Sequence, residues 1–473
     1  MVLTPEEVCA DVIKRVTPSL EERAHILQLA EDLRRRVEEA AEEKGVETET
    51  RVEGSVAKDT WLHREPDIDI FLRLSPTLSR EALGAVGLEI ARRATQGVKQ
   101  VERFAEHPYL ECFVDDVRVN IVPCYRVERG RWLSSTDRTP FHTDYVKPLL
   151  NHRLAGEIRL LKRFMKGIGV YGAEIRIGGF SGYLCELLIL QYGSFMENLR
   201  SASDWKGQEV IDYGGYYKGR KAELRKVFGG DSLIVIDPVD KGRNVAAAVR
   251  EERLNEFIAA ARAFLEMPSS NFFYPPTVEA FKADELVNVM RARGSALLFL
   301  RFGSVGVVPD VLWGQLYRTQ QSLGKMLQRF DFKILRDAVW GNEVDVNVFI
   351  FELETRLLPP IRRHIGPPLE KRAECEKFLK KHLGVESTVS GPRVEGNRWV
   401  VETGRRYVDA LELLKEKLRD GGRNVGVADL LSQTIAKSFQ VLVNEEILPL
   451  CSSNEDFAKF LTEYLKGRPR WLD

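Results

Sequence analysis

The stretch Gly54-Ser55-Val56-Ala57-Lys58-Asp59-Thr60-Trp61-Leu62-His63-Arg64-Glu65-Pro66-Asp67-Ile68-Asp69-Ile70-Phe71 ends in a strand pattern. Side chains of a strand alternate between faces, so Asp67 and Asp69 project together while Ile68, Ile70 and Leu72 point the other way, into a core. Two like charges at one spot repel unless a cation sits between them. Hard carboxylate oxygens suit Mg2+, which also takes water and substrate phosphate oxygens. Taken alone, Asp-x-Asp also reads as the solvated acidic face of a strand. The preceding Gly54-Ser55 weighs against that. A glycine followed by a small hydroxyl at a strand-to-helix turn lets backbone N–H groups and the Ser55 oxygen approach a triphosphate, and Ser55 stands twelve residues before Asp67.

Outward from this stretch, β-like segments are expected at 48–53, 67–74, 100–105, 109–114 and 117–124, with a helical segment at about 79–95 between the second and third. Residues 19–44 read as a long helix, with Ser19 and Glu22 in a capping-box pattern and Ile26, Ala30, Leu33, Val37 and Ala41 at helical spacing. The N-terminal Met1–Glu7 opens a capped helix and lacks the basic-then-apolar pattern of a leader. These elements make an α/β or α+β domain over 1–150. Helical patterning over 151–270, broken by the glycine-rich stretch 167–182, indicates a second domain. Met267-Pro268-Ser269-Ser270-Asn271 then marks a boundary. Residues 271–473 are mixed, with strands at Ala296–Leu300 and Asp345–Phe351 and helices at 309–328 and 370–382. A length of 473 residues calls for three or four domains.

Lysine plus arginine (70) equals aspartate plus glutamate (70), which excludes a uniformly basic coat for nucleic acid. Local asymmetry remains. From Arg356 to His382 eight Lys/Arg residues face three Glu, and Lys218–Lys226 is a second basic island. Such patches suit a protein that grips a polyanion at chosen places, although each also reads as a solvated face. No apolar run approaches the roughly 18 residues of a membrane span, so no membrane partner and a cytoplasmic address are expected. The six cysteines are scattered without zinc spacing and are expected as buried free thiols.

Gly-Ser followed by Asp-h-Asp in a strand is similar to the signature of the polymerase-β-like nucleotidyltransferase superfamily. Ile121-Val122-Pro123-Cys124-Tyr125, Asp137–Thr143, Val170–Glu174, Phe180–Glu186, Asp237-Pro238-Val239-Asp240, Arg243–Ala247 and Arg468–Leu472 resemble the archaeal-type (class I) CCA-adding enzyme family, nearly end to end. The resemblance implies an α+β multidomain protein: a polymerase-β-like nucleotidyltransferase head, a helical neck, and a mixed α/β body and tail that bind tRNA. It implies template-independent addition of CCA to tRNA from CTP and ATP, with two Mg2+ ions as cofactor and a monomer or homodimer as the assembly. By position, Asp67 and Asp69 would hold the metal. Gly54, Ser55, Lys58, His142, Lys162, Tyr171 and Arg243 would bind the nucleotide, with Arg243 near the incoming base or the RNA end. Packing, a solvated helix face and a bonded turn histidine are the plain alternatives for Tyr171, Lys162 and His142.

One position departs. The family's pattern places a third catalytic, metal-binding carboxylate two residues before Val122-Pro123, where this chain has Asn120. An amide has a comparable oxygen but neither charge nor basicity. Asp116 is four residues away, about 13 Å along a strand, too far to substitute. Three explanations stay open: a substitution made to trap a complex, a natural variant with altered metal use, or a tRNA-binding relative that has lost catalysis. A poly(A) polymerase-like enzyme is the alternative activity.

Overall fold

The computed structural model describes residues 4–104 and 106–473, and the backbone alone of Lys221. Met1–Leu3, expected in a capped N-terminal segment, and Ala105, expected at a strand end, lie outside the described residues. Two compact units result: Met1–Pro276 with Arg468–Asp473, and Thr277–Gly467.

In the first unit, α1 (Pro5–Val16) begins after Thr4, which caps it through a bond from the Glu7 N–H. Then follow α2 (Leu20–Glu43), capped by Ser19, β1 (Glu49–Glu53), the single turn α3 (Gly54–Ala57), β2 (Asp67–Leu74) and α4 (Arg80–Ala94). β3 (Gln100–Phe104), β4 (Pro108–Val114) and β5 (Val117–Tyr125) complete a five-stranded sheet of order β1-β2-β5-β4-β3. Only β2 and β5 pair in parallel; the other pairs are antiparallel. Ile68, Ile70, Leu72, Val119, Ile121 and Leu110 turn one face of this sheet onto α2 and α4, so the acidic residues of β2 occupy the other.

A helical region continues the unit: α5 (Thr139–Val146), α6 (His152–Gly167), α7 (Gly182–Tyr192) and α8 (Phe195–Ser203). After it come β6 (Glu209–Ile211), α9 (Lys221–Phe228), β7 (Leu233–Val235), parallel to β6, and α10 (Glu251–Glu266). Phe164, Phe180, Phe195, Phe257, Phe264 and Phe273 are fully buried at its centre. The C-terminal residues return to this core: Trp471 stacks on Phe272 at 5.1 Å between ring centroids. The sequence reading placed 468–473 in the last domain, because nothing in a linear pattern shows where an end folds back.

In the second unit, α11 (Ala283–Arg293), β8 (Ala296–Phe302), α12 (Pro309–Arg329), β9 (Ile334–Gly341) and β10 (Asn347–Leu353) are followed by β11 (Ile361–Pro368) and α13 (Arg372–His382). β12 (Thr388–Glu395), β13 (Arg398–Gly404), α14 (Ala410–Leu418), α15 (Asp429–Lys437), β14 (Phe439–Val443), α16 (Leu448–Ser453) and α17 (Glu455–Lys466) complete it. The antiparallel sheet β14-β8-β10-β9 is buried on both faces. Leu298, Leu300, Phe349 and Phe351 enter one core, and Leu297, Phe299, Val348 and Ile350 the other. A separate sheet β11-β13-β12 packs against α13. All six cysteines are free, with Cys451 half-buried and the rest buried.

Candidate active site

Gly54 joins β1 to the α3 turn in the left-handed region, at φ +71°. A Cβ there would stand 2.1 Å from Asp69 Oδ2, so glycine is required both by the backbone angle and by the room the carboxylate takes. The turn thus carries the half-buried Ser55 against the acidic strand. α3 is a single turn of four residues, Gly54–Ala57.

On β2, Asp67 and Asp69 share the face away from the core, in register with Arg118 and Asn120 of β5. Arg118 donates to both Asp67 oxygens, at 2.8 and 2.6 Å. Asn120 Nδ2 donates to Asp69 Oδ1 at 3.0 Å. Burial, with the amide bond offsetting part and the Asp67 charge adding to it, pushes the Asp69 carboxyl up to about 6. Asp116 lies in the exposed two-residue turn between β4 and β5, away from this row. Among the described residues no three His, Cys, Asp or Glu side chains form a metal-holding group. Two carboxylates and the Asn120 amide are nevertheless hard oxygen donors that suit a divalent ion, and the guanidinium on Asp67 shows a cation being drawn to this face.

Lys58 and Lys162 are 8% and 3% exposed and meet at Glu186, which is 1% exposed. Lys58 Nζ donates to Glu186 Oε2 at 2.5 Å, and Lys162 Nζ stands 3.4 Å from Oε1. Thr60 Oγ1 donates to Oε1 at 2.8 Å and accepts from Lys162 at 3.0 Å. Burial alone would raise the Glu186 carboxyl, but the charges of Lys58 and Lys162 hold it below its usual range; burial lowers the Lys162 ammonium. Two ammonium groups against one carboxylate leave one net positive charge, which suits a bound polyphosphate. A Cβ on Gly182 would lie 3.0 Å from the Tyr171 hydroxyl and 3.6 Å from Lys162 Nζ, so Tyr171 borders the same group.

Asp237, fully buried, organises a second cluster. His142 Nε2 lies 2.8 Å from Asp237 Oδ2 and Arg243 Nη1 donates to the same oxygen at 2.8 Å. Tyr183 donates to Oδ1 at 3.2 Å and stacks on His142 at 4.1 Å. Burial would raise the Asp237 carboxyl, yet His142, the Val239 N–H and Arg243 hold it far below the carboxylate range. Burial lowers His142 despite that carboxylate. Arg243, Ser181, Asp240 and Arg138 line a cavity of about 540 Å3, and Lys58 Nζ lies 5.7 Å from the Tyr183 ring, linking the two clusters.

All ten residues singled out in the sequence therefore fall in three neighbouring groups of the first unit. Tyr183, Glu186 and Asp237 lay within the quoted family-like stretches but were given no role of their own, and Arg118 was not singled out. Glu186 had a signal, a lone acid inside the apolar run of α7. Arg118 had none, because cross-strand register is not written in a linear pattern.

This sheet and acidic strand define a nucleotidyltransferase: residues 34–145 match the nucleotidyltransferase domain family. Residues 156–274 match "tRNA nucleotidyltransferase, second domain" and 293–444 match "CCA-adding enzyme, C-terminal domain". The chain is 34% identical to the CCA-adding enzyme of Methanosarcina barkeri, covering 98% of both chains. It is 35% identical to that of Methanosarcina acetivorans, again over 98% of both, and 34% identical to that of Methanothermobacter thermautotrophicus, over 96% of this chain and 97% of that one. The chain belongs to the CCA-adding enzyme family. A solved cytoplasmic RNA terminal U-transferase is a more distant likeness, with a TM-score of 0.43 and 14% identity over 56% of this chain and 96% of that one.

Proposed function

We propose that this chain adds the 3′-terminal CCA to tRNA without a nucleic-acid template, using CTP and ATP and releasing pyrophosphate. Its likeness to CCA-adding enzymes over 98% of its length carries this reading. Residues 1–150 act as the catalytic head, 151–270 as the neck, and 271–473 as the body and tail that hold tRNA, in a cytoplasmic setting. No helix of the described residues is long and apolar enough to cross a membrane.

Asp67, Asp69 and the Asn120 amide oxygen would hold Mg2+, two ions being expected, which when bound supplies Lewis-acid stabilisation of the phosphoryl oxygens. Gly54 lets the backbone approach the triphosphate, Ser55 and Tyr171 donate to it, and Lys58 and Lys162 neutralise it. His142 and Arg243, both fixed by Asp237, orient the base or the RNA end. The tRNA 3′-oxygen forms a bond to the α-phosphorus as the α–β bridging P–O bond breaks; the hydroxyl proton is lost and pyrophosphate departs.

The test is tRNA lacking its terminal CCA with single labelled nucleotides. CMP incorporation followed by AMP bears the reading out; long runs of AMP from ATP alone assign a poly(A) polymerase-like activity instead. Asn120 favours a second reading, a tRNA-binding relative with weakened catalysis. No incorporation after Asn120→Asp, with folding and tRNA binding intact, would establish the binder.

A further inference from the structure

Residues 58–66 join the α3 turn to β2, and Lys58 stands at their start. Asp59 follows it at φ +53°, in the left-handed region that favours glycine. Its two neighbours both reach Glu186: Lys58 Nζ at 2.5 Å and Thr60 Oγ1 at 2.8 Å. A left-handed turn at a residue with a side chain needs holding from outside, and here α6 holds it. Arg159 Nε donates to the Trp61 carbonyl at 2.8 Å, and its Nη2 donates to the Asp59 carbonyl and to Asp59 Oδ1, both at 2.6 Å. Lys162, three residues further along α6, donates to the Thr60 carbonyl between them at 3.2 Å. Three successive carbonyls are thus fixed from one helix.

We infer that Arg159 is a positioning residue for nucleotidyl transfer: by tying Asp59 and Trp61 to α6 it sets the turn from which Lys58 is presented to the triphosphate. This rests on the reading in which Lys58 neutralises the incoming nucleotide. Arg159 is 1% exposed, so it has no access to the nucleotide and acts through the turn. A buried guanidinium is costly unless paired and hydrogen-bonded, and the Asp59 carboxylate supplies the pairing while the two carbonyls take the remaining bonds. The planar fork spans both carbonyls at once, which the single point of a lysine ammonium cannot do. Arg23 of α2 also donates to Asp59 Oδ1, at 3.1 Å, but it reaches the carboxylate alone and none of the carbonyls.

The test is CTP binding to the full-length protein by equilibrium dialysis, with CMP incorporation into CCA-less tRNA and thermal unfolding in parallel. Arg159→Lys is expected to weaken CTP binding about 10-fold and to raise the KM for CTP but not that for tRNA, because it shifts Lys58 rather than removing it. Lys58→Met also weakens CTP binding, and adding Arg159→Lys to it costs less than about 2-fold more, since no ammonium is left to place. Asp59→Ala, at a half-buried position, provides a milder variant: it removes one of the three Arg159 bonds and loses about 3-fold in CTP affinity, again only when Lys58 is present. Arg23→Met keeps parent-like CTP binding. Parent-like CTP affinity in a folded Arg159→Lys, losses that multiply with that of Lys58→Met in either double variant, or an equal loss in Arg23→Met overturns the assignment. Parent-like CTP binding by Lys58→Met overturns it together with the role of Lys58. Absence of incorporation by the parent chain overturns the transfer reading instead, and the dialysis still decides whether Arg159 places Lys58.

Discussion

Glu53 precedes the Gly54 turn with 0% exposure and no well-aligned hydrogen bond at either oxygen, although Arg51 Nε stands 2.8 Å from Oε1. Burial pushes its carboxyl up to about 7, with Thr143 and Arg51 offsetting only part. The unfolded chain ionises this group near pH 4.3, so between there and about 7 the folded state binds more protons and stability falls as pH rises. Glu53→Gln is expected to stabilise the protein at pH 8, by up to about 3 kcal/mol, and to leave it unchanged near pH 4. Thermal unfolding at the two pH values checks this; equal effects at both would refute the burial argument. At Glu186 the sign reverses. Glu186→Gln leaves two buried ammonium groups facing each other, and a loss of about 3–5 kcal/mol with a raised KM for CTP is expected, read by denaturant unfolding and initial rates. Asp67 and Asp69 could be named from sequence because alternation fixes their face. Asp237 could not, since what matters is that it joins His142 and Arg243 from distant parts of the chain.

Among elements, the β1–α3 turn is the most constrained. Gly54→Ala meets both the positive φ and a 2.1 Å approach to Asp69. We expect a cost of about 1–3 kcal/mol and loss of CMP incorporation, because relief of the clash must move the Asp69 carboxylate. A Gly54→Ala protein with parent-like stability and rate would show the turn to be more compliant than its geometry. The strands of the first sheet were legible within a residue or two, since one buried and one solvated face give clean alternation. β10 was legible, two residues early, through its apolar stretch Val348–Phe351, which is buried on both sides. β11, β12 and β13 were not: β11 is mostly exposed, and Arg362 and Arg363 read as part of a basic run when they are strand residues. The helix expected at 370–382 forms as α13, two residues shorter.

Across the whole molecule, charge balance hides where the positive groups are usable. Of the basic residues between Arg356 and His382, Arg356, Arg362, Arg363, Lys371 and Arg372 are already paired with acids. Lys377, Lys380 and Lys381 stay exposed on α13, with no acid paired to them among the described residues. If 271–473 holds tRNA, these three lysines carry a disproportionate share of the phosphate binding in this stretch. Each lysine that no longer neutralises a phosphate flattens the dependence of log affinity on log salt by roughly 0.7–0.9. Reversing all three to Glu should therefore weaken tRNA binding most at low salt and reduce the slope by about 2, while CTP binding in the other unit stays unchanged. Filter binding at several salt concentrations, with a parallel CTP titration, separates the outcomes. An unchanged slope would move tRNA recognition off α13, and an equal loss of CTP binding would show that the substitutions had damaged the fold rather than a binding surface.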